Sequence, residues 1–259
     1  MTKKLKSLVI LLAAALIFSS CGKNDVVEMG SGYDIHTEGL VPAETPDEIP
    51  ENAVFDMSIY TADGDLNGLS GVCIQPEGVK KPILITAFSP FIEHASIDIT
   101  PADLPSYVQG GAIFDVTDGA KSEASIKNAL LLPGLPERIT RSDNLAAFSL
   151  QDFKEIKVFA LAQEAPSMGE PVYLLSHKAT GASTISSGVY PARALETADG
   201  LLNYSMEDGH DLSDCVGAPI VDSGGQLVGI HIGTRGDSGH EFQALSAGRI
   251  GEILADADE

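Results

Sequence analysis

Apolar and polar residues alternate along most of the chain between residue 53 and the C-terminus. Short runs rich in Val, Ile, Leu, Phe and Tyr recur there between turn residues, as in PILITAF, KVFALA, EPVYLLSH and QLVGIHIG. A two-residue period with such residues is typical of β-strands that bury one face. Only the C-terminal SAGRIGEILADA has helical spacing, because Ile250, Ile253 and Leu254 recur at i, i+3 and i+4. The pattern predicts an all-β fold, an antiparallel barrel or sandwich, with one C-terminal helix.

The N-terminal region has a different pattern. Three lysines precede an unbroken apolar run from Leu8 to Phe18, which is too short to cross a bilayer and fits a secretory signal peptide. The run ends in FSSC, and a cysteine directly after small residues at this point resembles the bacterial lipoprotein signal. We therefore predict a signal peptide over residues 1–20, with Cys21 as the site of lipid attachment. The alternative is an ordinary secretory signal with an unmodified cysteine.

The segment after the signal peptide, residues 21–52, is rich in acids, prolines and glycines and has little hydrophobic periodicity. Such a composition buries too little apolar surface to offset the entropy of ordering, so the segment is predicted to be a disordered tether. Residues 53–259 are sufficient for one all-β domain or for a pair of barrels.

The charge of the chain limits its partners. The sequence has 37 acidic and 16 basic residues, a formal net charge of −21. A surface of this sign repels nucleic acid and anionic lipid headgroups, so we expect neither as a partner. The six histidines show no spacing typical of metal ligands, and we predict no metal site and no cofactor.

One short segment imitates a calcium loop. DGDLNG, from Asp63 to Gly68, has oxygen ligands at alternate positions and a glycine at the sixth. The twelfth position, where a calcium loop needs Glu, is Ile74, and strand-like sequence flanks the segment. We therefore interpret it as a hairpin turn.

Two cysteines, Cys73 and Cys215, remain besides the predicted lipid site. In an exported domain they can be oxidised to one disulfide. Whether their Cα atoms lie close enough for a bond is left open by the sequence.

From about Leu69 onward, the order of segments resembles that of the trypsin-like (chymotrypsin-fold) serine proteases, especially bacterial periplasmic ones. The matching segments are, in chain order, SGVCI, PILITAFSPF, SDNLAAFSL, MGEPVYLLSHKATGASTISSGVYPARAL, GAPIVDSGGQLVGIHIG and EFQALSAGRIGEIL. They are similar to the family's strands around the catalytic His and Asp, its nucleophile loop, its closing strand and its C-terminal helix. The resemblance implies two antiparallel six-stranded β-barrels with a C-terminal helix over residues 53–259.

The same resemblance locates three catalytic positions, and each holds an unsuitable residue. The His of the family's "TAaH" motif falls on Ser89, and the Asp of its "DLAlL" motif falls on Asn144. The Ser before the family's Gly-x-Pro falls on Val216. The resemblance thus implies the fold of a protease with a degenerate triad.

The sequence also contains DSGG, from Asp222 to Gly225, which looks like the family's nucleophile motif. No proline follows it, and it lies between the predicted strands GAPIV and LVGIHI. Aspartate, serine and glycine are typical of tight turns, so we interpret DSGG as a hairpin turn and DCVGAP as the nucleophile loop.

A relocated catalytic site is the alternative. Cys215 lies one residue from the nucleophile position, and Ser223 lies in DSGG. His94, five residues after the empty His position, is a candidate base, and His210 and His231 are two others. Three coordinated displacements would be needed, and a misplacement of about 1 Å can cost about a hundredfold in rate.

Three functions follow from these observations. We favour a lipid-anchored protein of the bacterial cell envelope whose trypsin-like domain is not proteolytic and serves in binding, scaffolding or regulation. The alternatives are an active hydrolase with a relocated nucleophile and a β-rich structural envelope lipoprotein. An oxyanion-like nest of backbone amides, predicted at Asp214, Cys215, Val216 and Gly217, is expected to bind an anion. The expected partners are the membrane, through the lipid, and an extended peptide or an envelope protein.

Overall fold

The computed structural model describes residues 34–36, 47–76, 81–119, 122–153, 155–181, 187–236 and 239–255. The predicted signal peptide and Cys21 lie outside the described residues. Most of the described strands form two closed antiparallel barrels of six strands each.

The first barrel is formed by β2 (Val54–Thr61), β3 (Gly64–Ile74), β4 (Ile83–Thr86), β5 (Val108–Asp115), β6 (Ser122–Ala129) and β7 (Ala146–Gln151). Their order around the barrel is β2-β3-β4-β7-β6-β5. Two short helices, α1 (Ser89–His94) and α2 (Leu104–Tyr107), lie between β4 and β5. A 3-10 turn, Arg141–Asp143, precedes β7.

The second barrel has the strand order β11-β12-β16-β15-β14-β9. Its strands are β9 (Pro171–Leu175), β11 (Val189–Ala198), β12 (Leu201–Ser205), β14 (Pro219–Asp222), β15 (Leu227–Thr234) and β16 (Glu241–Ser246). A 3-10 turn, Ser213–Cys215, precedes β14, and the C-terminal helix α3 (Ala247–Ala255) follows β16. Two pairs of short strands lie outside the barrels: β1 (Asp34–His36) with β8 (Glu155–Lys157), and β10 (Thr180–Gly181) with β13 (His210–Asp211).

The core has three layers. Each barrel encloses its own apolar cluster, and a third cluster lies between the barrels and under α3. In β4, Leu84 points into the first barrel while Ile85 belongs to the cluster between the barrels. In β9, Leu174 points into the second barrel while Tyr173 belongs to the cluster between them. The strands at this junction therefore bury both faces, which explains their nearly continuous apolar sequence.

The predicted fold class is confirmed, since the described chain is all-β with two six-stranded barrels and α3 packs Ile250, Ile253 and Leu254 into the core. Of the two short helices, α1 was expected only as a helical turn that carries His94, and α2 was not predicted. Each has proline at its first or second position, and they are six and four residues long. Elements of this length present too few positions for a helical period to be recognised.

Two parts of the segment predicted to be a tether contact the rest of the described chain. Asp34–His36 forms a strand that pairs in parallel with Glu155–Lys157, the segment between the barrels. Ile49 is buried in the cluster between the barrels, and the Asn52 carbonyl accepts a hydrogen bond from the amide of Lys157. One apolar side chain in an acidic segment produces no periodicity, so the sequence did not predict this packing.

The segment DGDLNG, which has a sequence similar to a calcium loop, forms a hairpin, as predicted. Thr61 pairs with Gly64, so that DGDLNG begins in the turn between β2 and β3. The Asp63 carboxylate accepts hydrogen bonds from the amide and hydroxyl of Ser96 and from the hydroxyl of Tyr107. These hydrogen bonds lower the pKa of Asp63, and through them the Asp63 carboxylate holds the loop after α1 in place.

The two remaining cysteines are free thiols in different cores. Cys73 is buried inside the first barrel and Cys215 inside the second. The disulfide that the sequence left open is therefore not formed, because each thiol points into its own barrel. No group of three or more His, Cys, Asp or Glu side chains within the described residues is arranged to hold a metal. None of the described helices is long and apolar enough to cross a membrane.

Candidate functional site

The residues at the His and Asp positions are in direct contact. Asn144 follows the 3-10 turn of residues 141–143, and its side-chain oxygen accepts hydrogen bonds from the backbone amides of Phe88 and Ser89, both at 2.7 Å. Its amide nitrogen donates to the Ser89 hydroxyl at 3.1 Å. Asn144 is buried, whereas Ser89 is partly exposed. Asn144 thus joins the start of α1 to the start of β7.

Asp143, next to the Asp position, has a structural role. Its carboxylate accepts hydrogen bonds from the Thr140 hydroxyl and amide, which caps the 3-10 turn, and forms an ion pair with Arg249 of α3 at 2.8 Å. Burial opposes ionisation, but the hydrogen bonds from Thr140 and Arg249 lower the pKa of Asp143. The carboxylate that is nearest in sequence to the catalytic position is therefore used to hold the C-terminal helix.

The third position, Val216, ends the 3-10 turn that precedes β14. Its carbonyl accepts a hydrogen bond from the Ser70 amide of β3 at 3.2 Å. Gly217 follows with φ +88°, and a Cβ there would lie 2.1 Å from the Ser70 carbonyl oxygen and 2.2 Å from the Thr86 hydroxyl. Only glycine fits this close approach. The loop therefore packs against β3 and β4, the latter ending three residues before Ser89.

The two alternative nucleophiles lie in unsuitable places. Cys215 has no exposed surface and packs in the core of the second barrel. Burial raises the pKa of its thiol, despite a hydrogen bond with Ser176 and the nearby charge of Lys178. Ser223 is exposed in the turn between β14 and β15, where Asp222 accepts from the amides of Gly225 and Gln226. The DSGG motif is thus a hairpin turn, as the sequence predicted.

The three candidate bases are dispersed. His94 ends α1, and its Nε2 is buried without a hydrogen-bond partner among the described residues. The ring of His210 contacts that of Tyr190 at a centroid distance of 5.1 Å. His231 is buried, with Nδ1 2.8 Å from the Tyr204 hydroxyl. Within the described part of the chain, no hydrogen bond joins any of these rings to Cys215 or Ser223.

The predicted anion nest is smaller than expected. The amide of Cys215 donates to the Leu212 carbonyl, and the amide of Gly217 donates to the His231 carbonyl, each at 2.9 Å. These bonds close the turn and fasten the loop to β15. The amides of Asp214 and Val216 donate to no other described residue, and an anion site at this loop stays a prediction.

No protein-family model matches the sequence, and no curated protein matches it. Solved structures are similar at low identity. The active form of the Rv3671c protease from M. tuberculosis is 16% identical, with 85% of this chain and 91% of that chain covered and a TM-score of 0.50. A Glu endopeptidase in complex with MPD is 12% identical, with 87% and 98% covered and a TM-score of 0.53. The serine endoprotease from Yersinia pestis is 14% identical, with 80% and 62% covered and a TM-score of 0.51.

The fold is that of the trypsin-like serine proteases. The double barrel and the C-terminal helix agree with these structures across most of the chain. At such identities the likeness establishes architecture only, and activity has to be argued from the site itself.

The sequence did not indicate two sets of polar contacts, one that holds the nucleophile loop and one that joins the two barrels. The ring of His231 hydrogen bonds to Tyr204 and to the backbone of Leu212, immediately before the 3-10 turn. Lys178, from the second barrel, contacts the Asp56 carboxylate at 2.6 Å and the Gly68 carbonyl at 2.9 Å in the first barrel. The partners of both residues are distant in sequence, and no local pattern indicates them.

Asn144 is expected to be important for stability in its own right. The substitution Asn144→Ala leaves the buried amide of Phe88 and the partly buried amide of Ser89 without an acceptor, which should lower the free energy of unfolding by roughly 2–4 kcal/mol. Asn144→Asp keeps an oxygen toward both amides and should cost less than about 1 kcal/mol. Urea unfolding measures both. Ser89→Ala, which removes only one partly exposed hydrogen bond, is the control, and equal losses in Asn144→Ala and the control would contradict the assignment.

His231 should make the trypsin-like domain sensitive to mild acid. Burial lowers the pKa of His231 from 6.5 to about 4, although its bond to the Leu212 backbone acts in the opposite direction. As pH falls, the His231 ring of the unfolded chain takes up a proton near pH 6.5, whereas the buried ring of the folded chain stays neutral until about pH 4. The stability that the buried neutral ring contributes is therefore fully present above pH 6.5. It is lost as pH falls to about 4, by roughly 3 kcal/mol in total.

The prediction is checked by urea unfolding across this pH range. The variant His231→Gln has no titrating ring and should show a correspondingly flatter loss of stability. His240→Gln, which changes an exposed histidine, should keep the wild-type profile. Identical profiles for all three proteins would show that another group controls the acid response.

Proposed function

We propose that the protein is a lipid-anchored component of the bacterial cell envelope whose trypsin-like domain does not hydrolyse peptides and serves in binding or regulation. The observation that carries the proposal is the Ser89–Asn144 pair, with Val216 at the nucleophile position. By the resemblance in sequence, these residues fall on the positions at which the family has its general base, orienting carboxylate and nucleophile.

The chemistry of the family requires three functions that these side chains lack. A serine hydroxyl at position 89 cannot accept the nucleophile's proton near neutral pH as an imidazole does. The amide of Asn144 is neutral and cannot stabilise a developing imidazolium, and Val216 has no lone pair for attack. Loss of triad members typically lowers the rate by about 10⁴-fold or more. No acyl intermediate forms by this route.

The relocated-site alternative has less support. A thiol must be ionised and accessible to attack a peptide, and Cys215 is buried with a raised thiol pKa. Ser223 is accessible, but no described histidine or carboxylate forms a hydrogen bond with its hydroxyl. The third alternative, a structural lipoprotein of another β-rich fold, is wrong in its architecture, since the two predicted barrels are present.

The proposed binding role relies on an edge of β15 beside the nucleophile loop whose backbone groups are not paired with β14. Strand β14 pairs with β15 as far as Ile230, and the Ala218 carbonyl and Gly217 amide extend this pairing to His231. Residues 232–233 continue beyond it, and no described strand covers them on the β14 side. An extended peptide can add to such an edge through main-chain hydrogen bonds. The opposite wall is less accessible, because Lys178 and Val216 already occupy the edge of β3.

The location in the envelope rests on the N-terminal sequence. The charged, apolar and small-residue segments before Cys21 have the order of a lipoprotein signal. An acidic body would be repelled by anionic headgroups, so we propose that attachment to the membrane is through the lipid rather than through the domain surface.

The absence of proteolysis is tested with activity probes on the processed chain carrying Cys21→Ser. We expect no labelling by fluorophosphonate or thiol probes and no cleavage of casein. A variant combining Ser89→His, Asn144→Asp and Val216→Ser restores the three functional groups and should become labelled by fluorophosphonate at position 216. Labelling of the unmodified domain that Cys215→Ala or Ser223→Ala abolishes would overturn the proposal. A folded triple variant that remains unlabelled would refute the assignment of the three positions.

Lipid attachment is tested separately in cells. The full chain should incorporate a labelled fatty acid and sediment with membranes, and Cys21→Ser should abolish both properties. Cys73→Ser, which changes a cysteine inside the first barrel, is the control for lipid incorporation. Incorporation that persists in Cys21→Ser would contradict lipidation at this residue.

A further inference from the structure

A cavity on the second barrel, separate from Ser89, Asn144 and Val216, has the features of a ligand site. It has a volume of about 450 Å³ and lies where β9, β11 and the segment after β12 meet. Ligand pockets typically measure about 300–1,000 Å³. Its walls combine the buried side chains of Tyr173 and Met206 with polar groups at the rim.

Charges of both signs surround this cavity without neutralising each other. Arg193 lies on the β11 side, and Glu207 and Asp208 lie on the segment after β12; all three side chains are exposed. The Arg193 guanidinium donates to the Gly169 carbonyl at 3.0 Å. Among the described residues, none of the three charged groups has an ion-pair partner. A ligand with one positive and one negative group would complement this arrangement.

The cavity also contains an unsatisfied polar group. His210, which lines it, is only 9% exposed, and its Nδ1 is buried without a hydrogen-bond partner among the described residues. A buried polar atom in this condition costs free energy that a bound polar group can recover. The ring is held against Tyr190 in an edge-to-face contact, so it is already oriented before a ligand binds.

We propose that this cavity binds a small zwitterion of the α-amino acid type, either free or as the two ends of a dipeptide. The ligand's carboxylate is bound by Arg193, its ammonium group by Glu207 and Asp208, and a polar atom hydrogen bonds to His210. The apolar walls at Tyr173 and Met206 accommodate the side chain. The cavity shares no lining residue with the nucleophile loop, so this inference holds whether or not the domain is proteolytic.

The experiment uses the processed chain with Cys21→Ser and titrates it by calorimetry with each of the free L-amino acids and with dialanine. We expect at least one of these probes to bind with a Kd of about 1 mM or tighter. The N-acetyl and carboxamide derivatives of that probe each lack one charge, and each should bind at least about tenfold more weakly. A carboxamide that binds as well as its parent would overturn the zwitterion assignment in favour of a simple cation site.

Variants then locate the site. Arg193→Gln and the pair Glu207→Gln with Asp208→Asn should each weaken binding at least about tenfold while leaving the circular dichroism spectrum unchanged. Arg138→Gln removes one positive charge and is the matched control for Arg193→Gln, while Glu137→Gln shows the effect of neutralising a single acid; both residues are exposed in the segment between β6 and β7 of the first barrel. Undiminished binding in the Arg193 variant, or no binding of any probe, would refute the proposal.

Discussion

The apolar layer between the two barrels is the constraint on which the rest of the structure depends. It is built from the outward faces of strands in both barrels and from the buried face of α3. Since these strands also fill the interior of their own barrels, neither barrel can shift without exposing apolar surface on the other. The loop that carries Val216 is joined to the first barrel, because the Val216 carbonyl accepts a hydrogen bond from the Ser70 amide. The geometry of the catalytic positions is therefore a consequence of packing between barrels.

This dependence is compatible with the proposed lack of proteolysis, because the backbone around Ser89, Asn144 and Val216 is held by structural contacts rather than by catalytic groups. Asn144 holds the amides of Phe88 and Ser89 with one oxygen, and a carboxylate in the same place would offer the same acceptor. Gly217 is required by its close approach to Ser70 and Thr86, whatever residue precedes it. Structural requirements preserve the shape of the site, and they place no requirement on a base or a nucleophile. Fold and activity are separable properties here.

Buried polar groups divide into those that serve the structure and those that remain unsatisfied. Asp143, Asn144 and His231 all have partners, and each fastens a turn to a neighbouring element. His210 differs, because its ring nitrogen has no partner among the described residues and lines a cavity with unpaired charges. Unsatisfied groups are uncommon in folded proteins, and they indicate where a ligand can contribute free energy.

Period-two runs in the sequence by themselves predicted an all-β fold, and turn chemistry predicted that DSGG is a hairpin turn; the structure confirms both. Local spacing and turn chemistry are sufficient for such inferences because each depends on neighbours along the chain. The double barrel and the positions Ser89, Asn144 and Val216 followed from the resemblance to trypsin-like serine proteases; the double barrel is confirmed, and the roles of the three positions stay a prediction.

Only the tertiary structure decided which partners the polar side chains have. The sequence did not indicate that Asp143 pairs with Arg249, that Lys178 reaches Asp56, or that the free thiol of Cys215 points into a barrel. The short helices and the packing of Ile49 were missed as well. These contacts join residues that are far apart along the chain, and they arise when the barrels close and pack. A short window of sequence does not predict these contacts, because the free energy that stabilises them comes from the burial of segments that are distant along the chain.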